Sequence, residues 1–251
     1  MNLNLSGRSV LITGGSKGIG AACAHTFAAE GCKLTLVARN AGQLEATAAA
    51  VSAQHGVEVR TMALDLREPG HFARAAEAAR GVDILVNNAG DIPAGSVLKL
   101  DDAAWRHAWE LKVFGYINLC RQAFAAMTEH RRDGVIVNII GLAAERASFD
   151  YICGSSANAA LAMFTKSLGS EVHKHGVRVL GVHPPSTRTD RIEKVMRTAA
   201  EQRYGDPTQT ERLITEGIFN RPIEPEQVSD LVAYLASSRA SQISGVVMAL
   251  G

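Results

Sequence analysis

Thr13-Gly14-Gly15-Ser16-Lys17-Gly18-Ile19-Gly20 has the composition and spacing to cradle a pyrophosphate. Gly14 takes a tight turn, Gly18 lets the backbone approach the phosphates, and Gly20 lets the following helix pack on the preceding strand. A helix opening at Ile19 presents free N–H groups and a partial positive charge to that anion. Taken alone, such a trio is a glycine-rich turn. Its meaning depends on a strand before it and a helix after it.

The chain supplies both and repeats the pattern. An apolar strand over 9–13 runs into the glycines, and a helix over 19–30 leaves them, ended by Gly31. Then come a strand at 33–38, a helix at 43–54, a strand at 57–64, a helix at 72–80 and a strand at 82–86. The second half gives a long helix over 101–129, capped by Asp101 or Asp102, and a strand at 134–140. A helix at 155–174 and a strand at 177–182 follow. Residues 186–222 read as irregular with helical pieces, before a helix at 225–237 and a strand at 246–250. This alternation predicts an α/β fold: a Rossmann-type doubly wound parallel sheet in a three-layer α/β/α single domain over 1–251.

Composition sets the company such a domain keeps. With 251 residues there is ample chain for one large core. A net charge of +1 gives no global field for nucleic acid or an anionic membrane. No stretch approaches the roughly 18 apolar residues of a membrane span, and the first residues do not read as a signal peptide. Cys23, Cys32, Cys120 and Cys153 show no CxxC pairing and read as reduced thiols of a cytoplasmic protein. Neither they nor the histidines have metal-ligand spacing.

The TGxxxGxG spacing at 13–20, with Asn87-Asn88-Ala89-Gly90 after the fourth strand, resembles the classical short-chain dehydrogenase/reductases. Leu64-Asp65-Leu66 and the pair Pro184 and Thr189 extend the likeness over nearly the whole chain. The resemblance implies that Asp65 and Leu66 hold an adenine. Asn87, Ala89 and Gly90 would line the central cofactor wall, and Thr189, beyond Pro184, would hold a nicotinamide amide. Gly14, Ser16, Lys17, Gly18, Ile19 and Gly20 form the phosphate loop. NAD-binding proteins of this kind usually end the second strand on an acidic residue that bonds the ribose 2′-OH. This chain has Ala38-Arg39-Asn40 there, and Lys17 nearby. A guanidinium fork suits a 2′-phosphate, so NADP(H) is expected over NAD(H).

The resembling family works with Asn, Ser, Tyr and Lys. A hydride arriving at a carbonyl carbon leaves charge on oxygen, and a proton donor must meet it. Anchored on Asn158-Ala159-Ala160-Leu161 and Gly134-Val135-Ile136-Val137-Asn138, the Lys position holds Asn158 and the Tyr position Gly154. The Ser position holds Gly141 and the Asn position Lys112. Pro185 stands where the family has glycine. Two features keep chemistry in view. Tyr151 lies just before the Tyr position, and Ser155 and Ser156 lie just after it, where either also suits a helix cap. An exchange is expected in which Lys112 supplies the cation, Asn158 the amide and Tyr151 the phenol. The substrate wall should come from 186–222, with Met196, Tyr204, Leu213, Ile218 and Phe219 in an amphipathic lid.

The leading expectation is an NADP(H)-dependent oxidoreductase acting on a small carbonyl or alcohol. Its alternative is a catalytically silent NADP(H)-binding protein. Small and apolar residues on the helices at 101–129 and 155–174, including Ala123, Phe124, Ala159, Ala160, Met163 and Phe164, suggest a homodimer or homotetramer.

Overall fold

The computed structural model describes residues 1–130, 133–214 and 223–251. β1 (Ser9–Thr13) leads through the glycine loop into α1 (Gly18–Ala29). β2 (Lys33–Ala38), α2 (Ala41–His55), β3 (Val59–Ala63), α3 (Pro69–Arg80) and β4 (Ile84–Asn87) complete the first half. The seven-stranded sheet has the order β3-β2-β1-β4-β5-β6-β7 and is parallel throughout. Here β5 is Gly134–Ile139, β6 Val177–His183 and β7 Val246–Ala249. This is the expected doubly wound Rossmann-type sheet, in a single Rossmann-like domain. The order reverses between β1 and β4, which opens a crevice at their C-terminal ends.

Alternation along each strand divides the core. Val10 and Ile12 join Val135, Val137 and Ile139 on the face covered by α1, α2 and α9 (Pro225–Ala236). Leu11 and Ile136 point to the other face, against α3 and α5 (Gly115–Glu129). Arg178 is buried on β6, where it donates to the carbonyls of Leu235, Ala236, Ser237 and Ala240 at the end of α9. A cation there offsets the partial negative charge of the helix C-terminus.

The long helix expected over 101–129 is three pieces. α4 (Asp102–Trp109), capped by the Asp101 carboxylate, passes into a π-helical turn at Glu110–Phe114 before α5 begins. The wide turn buries Leu111, Lys112 and Val113 in succession, which a regular helical stripe does not do. α6 (Ile152–Gly169) starts three residues earlier than expected, with Tyr151 at its N-cap. Ser155 and Ser156 therefore sit inside the helix and do not cap it. The helix ends at Gly169, where only glycine fits because Gly245 crosses closely: a Cβ on Gly169 would stand 2.4 Å from the Gly245 backbone. A 3₁₀ turn at Val172–His175 carries the chain to β6. The segment after β6 is more regular than expected: it forms α7 (Asp190–Tyr204) and α8 (Thr210–Ile214). Ile218 and Phe219 of the expected lid lie outside the described residues.

Candidate active site

The glycine loop turns as its residues require. Gly14 has φ +69°, its N–H donates to Val37 O at 2.7 Å, and a Cβ on it would stand 2.8 Å from Asn88 Nδ2. A Cβ on Gly20 would stand 2.1 Å from Gly14 O, so only glycine lets α1 start this close to the loop. Lys17 is the N-cap of α1 and makes no side-chain cap, which leaves the helix N-terminus open to an anion. Thr13 fixes the loop to its neighbour across the crevice: its hydroxyl accepts from the N–H groups of Asn88 and Ala89 at 2.9 and 3.0 Å. Thr189 Cγ2 reaches to 3.0 Å from where a Gly18 Cβ would be. The hydroxyl of Thr189 also caps α7 through Ile192 N–H. The segment that begins at Pro184, whose carbonyl accepts from Leu142 N–H, thus returns to the loop from the far half of the sheet. Ser16 accepts Thr47 Oγ1 through its carbonyl, and half-buried Ile19 packs on the core. The Lys17 ammonium stands 3.8 Å from Asp190.

Beside the loop, Gly14, Ala38, Leu64, Leu66, Ala89 and Gly90 line a slot whose wall Arg39 and Asp91 complete. Arg39 Nη2 donates to Asp91 Oδ2 at 3.0 Å. Asp65, next to the slot, is held by Arg67: Nε to Oδ1 at 2.9 Å, Nη2 to Oδ2 at 2.8 Å, and the Arg67 N–H to Oδ1 at 3.1 Å. These bonds hold the Asp65 carboxyl below the usual carboxylate range. Its side chain serves the turn after β3, while Leu66 faces the slot. The arrangement fits a dinucleotide: glycine positions that admit no Cβ, an uncapped helix N-terminus, and an apolar slot with a guanidinium on its wall.

At the other end of the crevice lies a set of polar groups. Lys112, carried inward by the π turn, is 7% exposed. Its ammonium donates to Ile139 O at 2.8 Å and to Tyr116 Oη at 3.1 Å, and the Tyr116 hydroxyl donates to the same carbonyl. Its Cδ is 3.0 Å from where a Gly90 Cβ would be, so the lysine stem lies along the crevice wall. Asn158, also buried, places Nδ2 2.7 Å from the Cβ position of Gly141. Tyr151 has its ring over Gly154, with Cε1 and Cζ each 2.1 Å from the Cβ position there. The Ser155 hydroxyl is buried with no hydrogen-bond partner among the described residues. Deeper in, Asn87 Nδ2 donates to Asn138 Oδ1 at 2.9 Å, and Asn138 passes the chain on to Thr165.

Two groups escaped the sequence reading. Tyr116 stands one helical turn after Lys112, a spacing at which side chains meet. His183 ends β6 beside the crevice, 1% exposed, with Nδ1 unpartnered among the described residues and Nε2 3.8 Å from Glu145 Oε1. Burial pushes its pKa down, against the pull of Glu145. The signal was present: a histidine in an apolar strand, immediately before Pro184.

A family model for short chain dehydrogenase matches residues 8–200. The chain belongs to the short-chain dehydrogenase family. That family is one of NAD(P)-dependent oxidoreductases. Among its short-chain dehydrogenase relatives is a 3-oxoacyl-acyl-carrier-protein reductase of Escherichia coli K12, 29% identical over 251 residues. That match covers 97% of this chain and 95% of the relative. The L-sorbose reductase of Gluconobacter frateurii, solved with NADPH and L-sorbose, superposes with a TM-score of 0.91 at 30% identity, covering 100% of this chain and 97% of that one. A 7α-hydroxysteroid dehydrogenase solved with NADH and 7-oxo glycochenodeoxycholic acid gives a TM-score of 0.88 at 26% identity, with 99% and 94% covered.

Proposed function

We propose that this short-chain dehydrogenase is an NADP(H)-dependent oxidoreductase that interconverts a small carbonyl compound and its alcohol, with Tyr151 as the proton donor and acceptor. The observation that carries the reading is the ring of Tyr151 seated over Gly154. A phenol is thereby brought from the loop to the helix position that the family reserves for one. When bound, the nicotinamide supplies or accepts the hydride. The chain's own groups do the rest. The Tyr151 hydroxyl gives its proton to the oxygen that gains charge, or takes it back in oxidation. Lys112, held against the Gly90 wall, keeps an ammonium in a buried site beside the place of the cofactor ribose. Asn158 supplies the amide and Ser155 a free hydroxyl for substrate oxygen.

For the cofactor, the α1 N-terminus and residues Gly14, Ser16, Gly18 and Gly20 meet the pyrophosphate. Leu66 packs on the adenine beside Asp65, and Thr189 takes the nicotinamide amide. Asn87, Ala89, Gly90 and Pro184 shape the wall between. Arg39, with Lys17, faces a 2′-phosphate. The solved sorbose reductase carries NADPH, which supports this choice; the hydroxysteroid dehydrogenase carries NADH, so the choice rests on Arg39. The working form is a cytoplasmic homodimer or homotetramer, with α7 and α8 on the substrate side.

The test is a panel of carbonyl compounds followed by NADPH oxidation, with Tyr151→Phe and Lys112→Met beside the native protein. Each variant should lose about 10²–10⁴ in turnover while binding NADPH as before. Full activity in either variant overturns its assigned role. Tight NADPH binding with no turnover across the panel would favour a silent binder.

A further inference from the structure

Arg39 leaves the end of β2 and Asp91 follows Gly90 after β4. These strands flank β1 in the sheet, so the ion pair spans the crevice above the end of β1. Both side chains are about half exposed, at 51% and 55%, and both line the adenosine slot. The other carboxylate at this end, Asp65, is already taken up by Arg67. Asp91 therefore lies within bonding distance of the guanidinium that a 2′-phosphate must reach.

We infer that Asp91 is a cofactor-specificity residue: it competes with an adenosine 2′-phosphate for Arg39 and offers its own carboxylate to a ribose 2′-OH. The inference rests on the reading of Arg39 given above. Where β2 lacks the acidic residue that an NAD site carries, the loop after β4 delivers one to the same place. With a 2′-phosphate bound, Arg39 must turn from Asp91 to the phosphate, and the carboxylate remains as a like charge beside it. With a 2′-OH bound, the pair stays closed and Asp91 accepts a hydrogen bond from the hydroxyl. The effect is bounded by solvent screening, because an exposed ion pair shifts an equilibrium by no more than about fivefold.

The experiment is calorimetric titration of the full chain with 2′,5′-ADP and 5′-AMP, for the native protein, Asp91→Asn, Arg39→Met and the double variant. Asp91→Asn should bind 2′,5′-ADP about three- to fivefold tighter and 5′-AMP no tighter. The gain should vanish in the Arg39→Met background and shrink at high salt. An unchanged 2′,5′-ADP affinity in Asp91→Asn, with Arg39→Met still weakening it, overturns the role of Asp91 and leaves that of Arg39. A gain that persists without Arg39 overturns the competition. Equal binding of both nucleotides by the native protein and by Arg39→Met overturns the Arg39 reading and this inference together.

Discussion

A Cβ on Gly154 would stand 2.1 Å from both Cε1 and Cζ of Tyr151. The phenol ring therefore occupies the space of the missing side chain, and the seated ring and a Cβ at position 154 are mutually exclusive. Gly154→Ala should push the ring out of its seat and reduce carbonyl turnover at least tenfold, with NADPH affinity kept. In a Tyr151→Phe background the same substitution should add little, because the two changes act on one group. Steady-state kinetics of the four proteins checks this; native turnover in Gly154→Ala would remove Tyr151 from the reaction.

Arg39 gives a second prediction. NADPH should bind more tightly than NADH, by an amount on the order of 1.5–3 kcal/mol, as for hydrogen bonds to a charged group. Arg39→Asp should narrow or reverse that gap, since it places a second carboxylate beside Asp91. Fluorescence titration of both cofactors reads it directly, and equal affinities in the native protein would contradict it.

Arg178 links β6 to the end of α9 through four backbone carbonyls, buried beneath the sheet edge. Arg178→Met keeps much of the stem and removes every donor. The four carbonyls then lose this donor, with Ser237 O and Ala240 O keeping only their backbone partners, and stability should fall by about 3 kcal/mol. Urea unfolding should show a lower midpoint at unchanged slope. A midpoint within error of the native one would mean that water replaces the guanidinium.

The fold was legible because its signals are local and periodic. Alternation at Val10, Leu11 and Ile12 names the two faces of β1, and glycine at 14, 18 and 20 announces the turn into α1. The turn of the glycine loop was legible for the same reason. The rest depends on contacts that no period encodes. A π turn adds a residue without marking the sequence, so no period places Lys112 on the buried side. Tyr151 finds Gly154 only because α6 starts at Ile152, and the early start removes Ser155 from the cap. Arg39 and Asp91 meet across 52 residues of chain and an intervening strand. The proposed exchange of Lys112 and Asn158 gained a detail that the sequence withheld: Tyr116 takes one of the ammonium's bonds.

His183 makes an acid-side prediction. Burial lowers its pKa from the ordinary value of 6.5. Between the folded and unfolded values the unfolded chain binds the extra proton. Its contribution is thus fully present above about 6.5 and is lost as pH falls from there through the folded value. His183→Asn should flatten the stability profile over that window, while the native protein weakens on acidification. Urea unfolding across the window is the measurement. Parallel profiles for the two proteins would show that another group governs the acid limb, such as His25, whose pKa is also lowered by burial.

Two apolar side chains on neighbouring elements face outward, Phe114 on the π turn at 48% exposure and Met163 on α6 at 63%. Ala159 and Ala160 are exposed beside Met163, whereas Ala123 of α5 is buried in the core and Phe124 packs against it. The proposed homodimer or homotetramer would therefore centre on α6 and the π turn more than on the middle of α5. A symmetric contact through α6 would place Met163 near its own copy, since a two-fold interface repeats one patch on both sides. A stable dimer needs more than about 1,000 Å² in total, so a charge at its centre is costly. Met163→Glu should shift the protein to monomer at micromolar concentration, with the circular dichroism of the fold retained. Gln at the same position should do so less, because it brings polarity without like-charge repulsion across the axis. Light scattering decides between the outcomes: an unchanged mass for Met163→Glu would move the interface away from α6, and a native protein that is already monomeric would remove it.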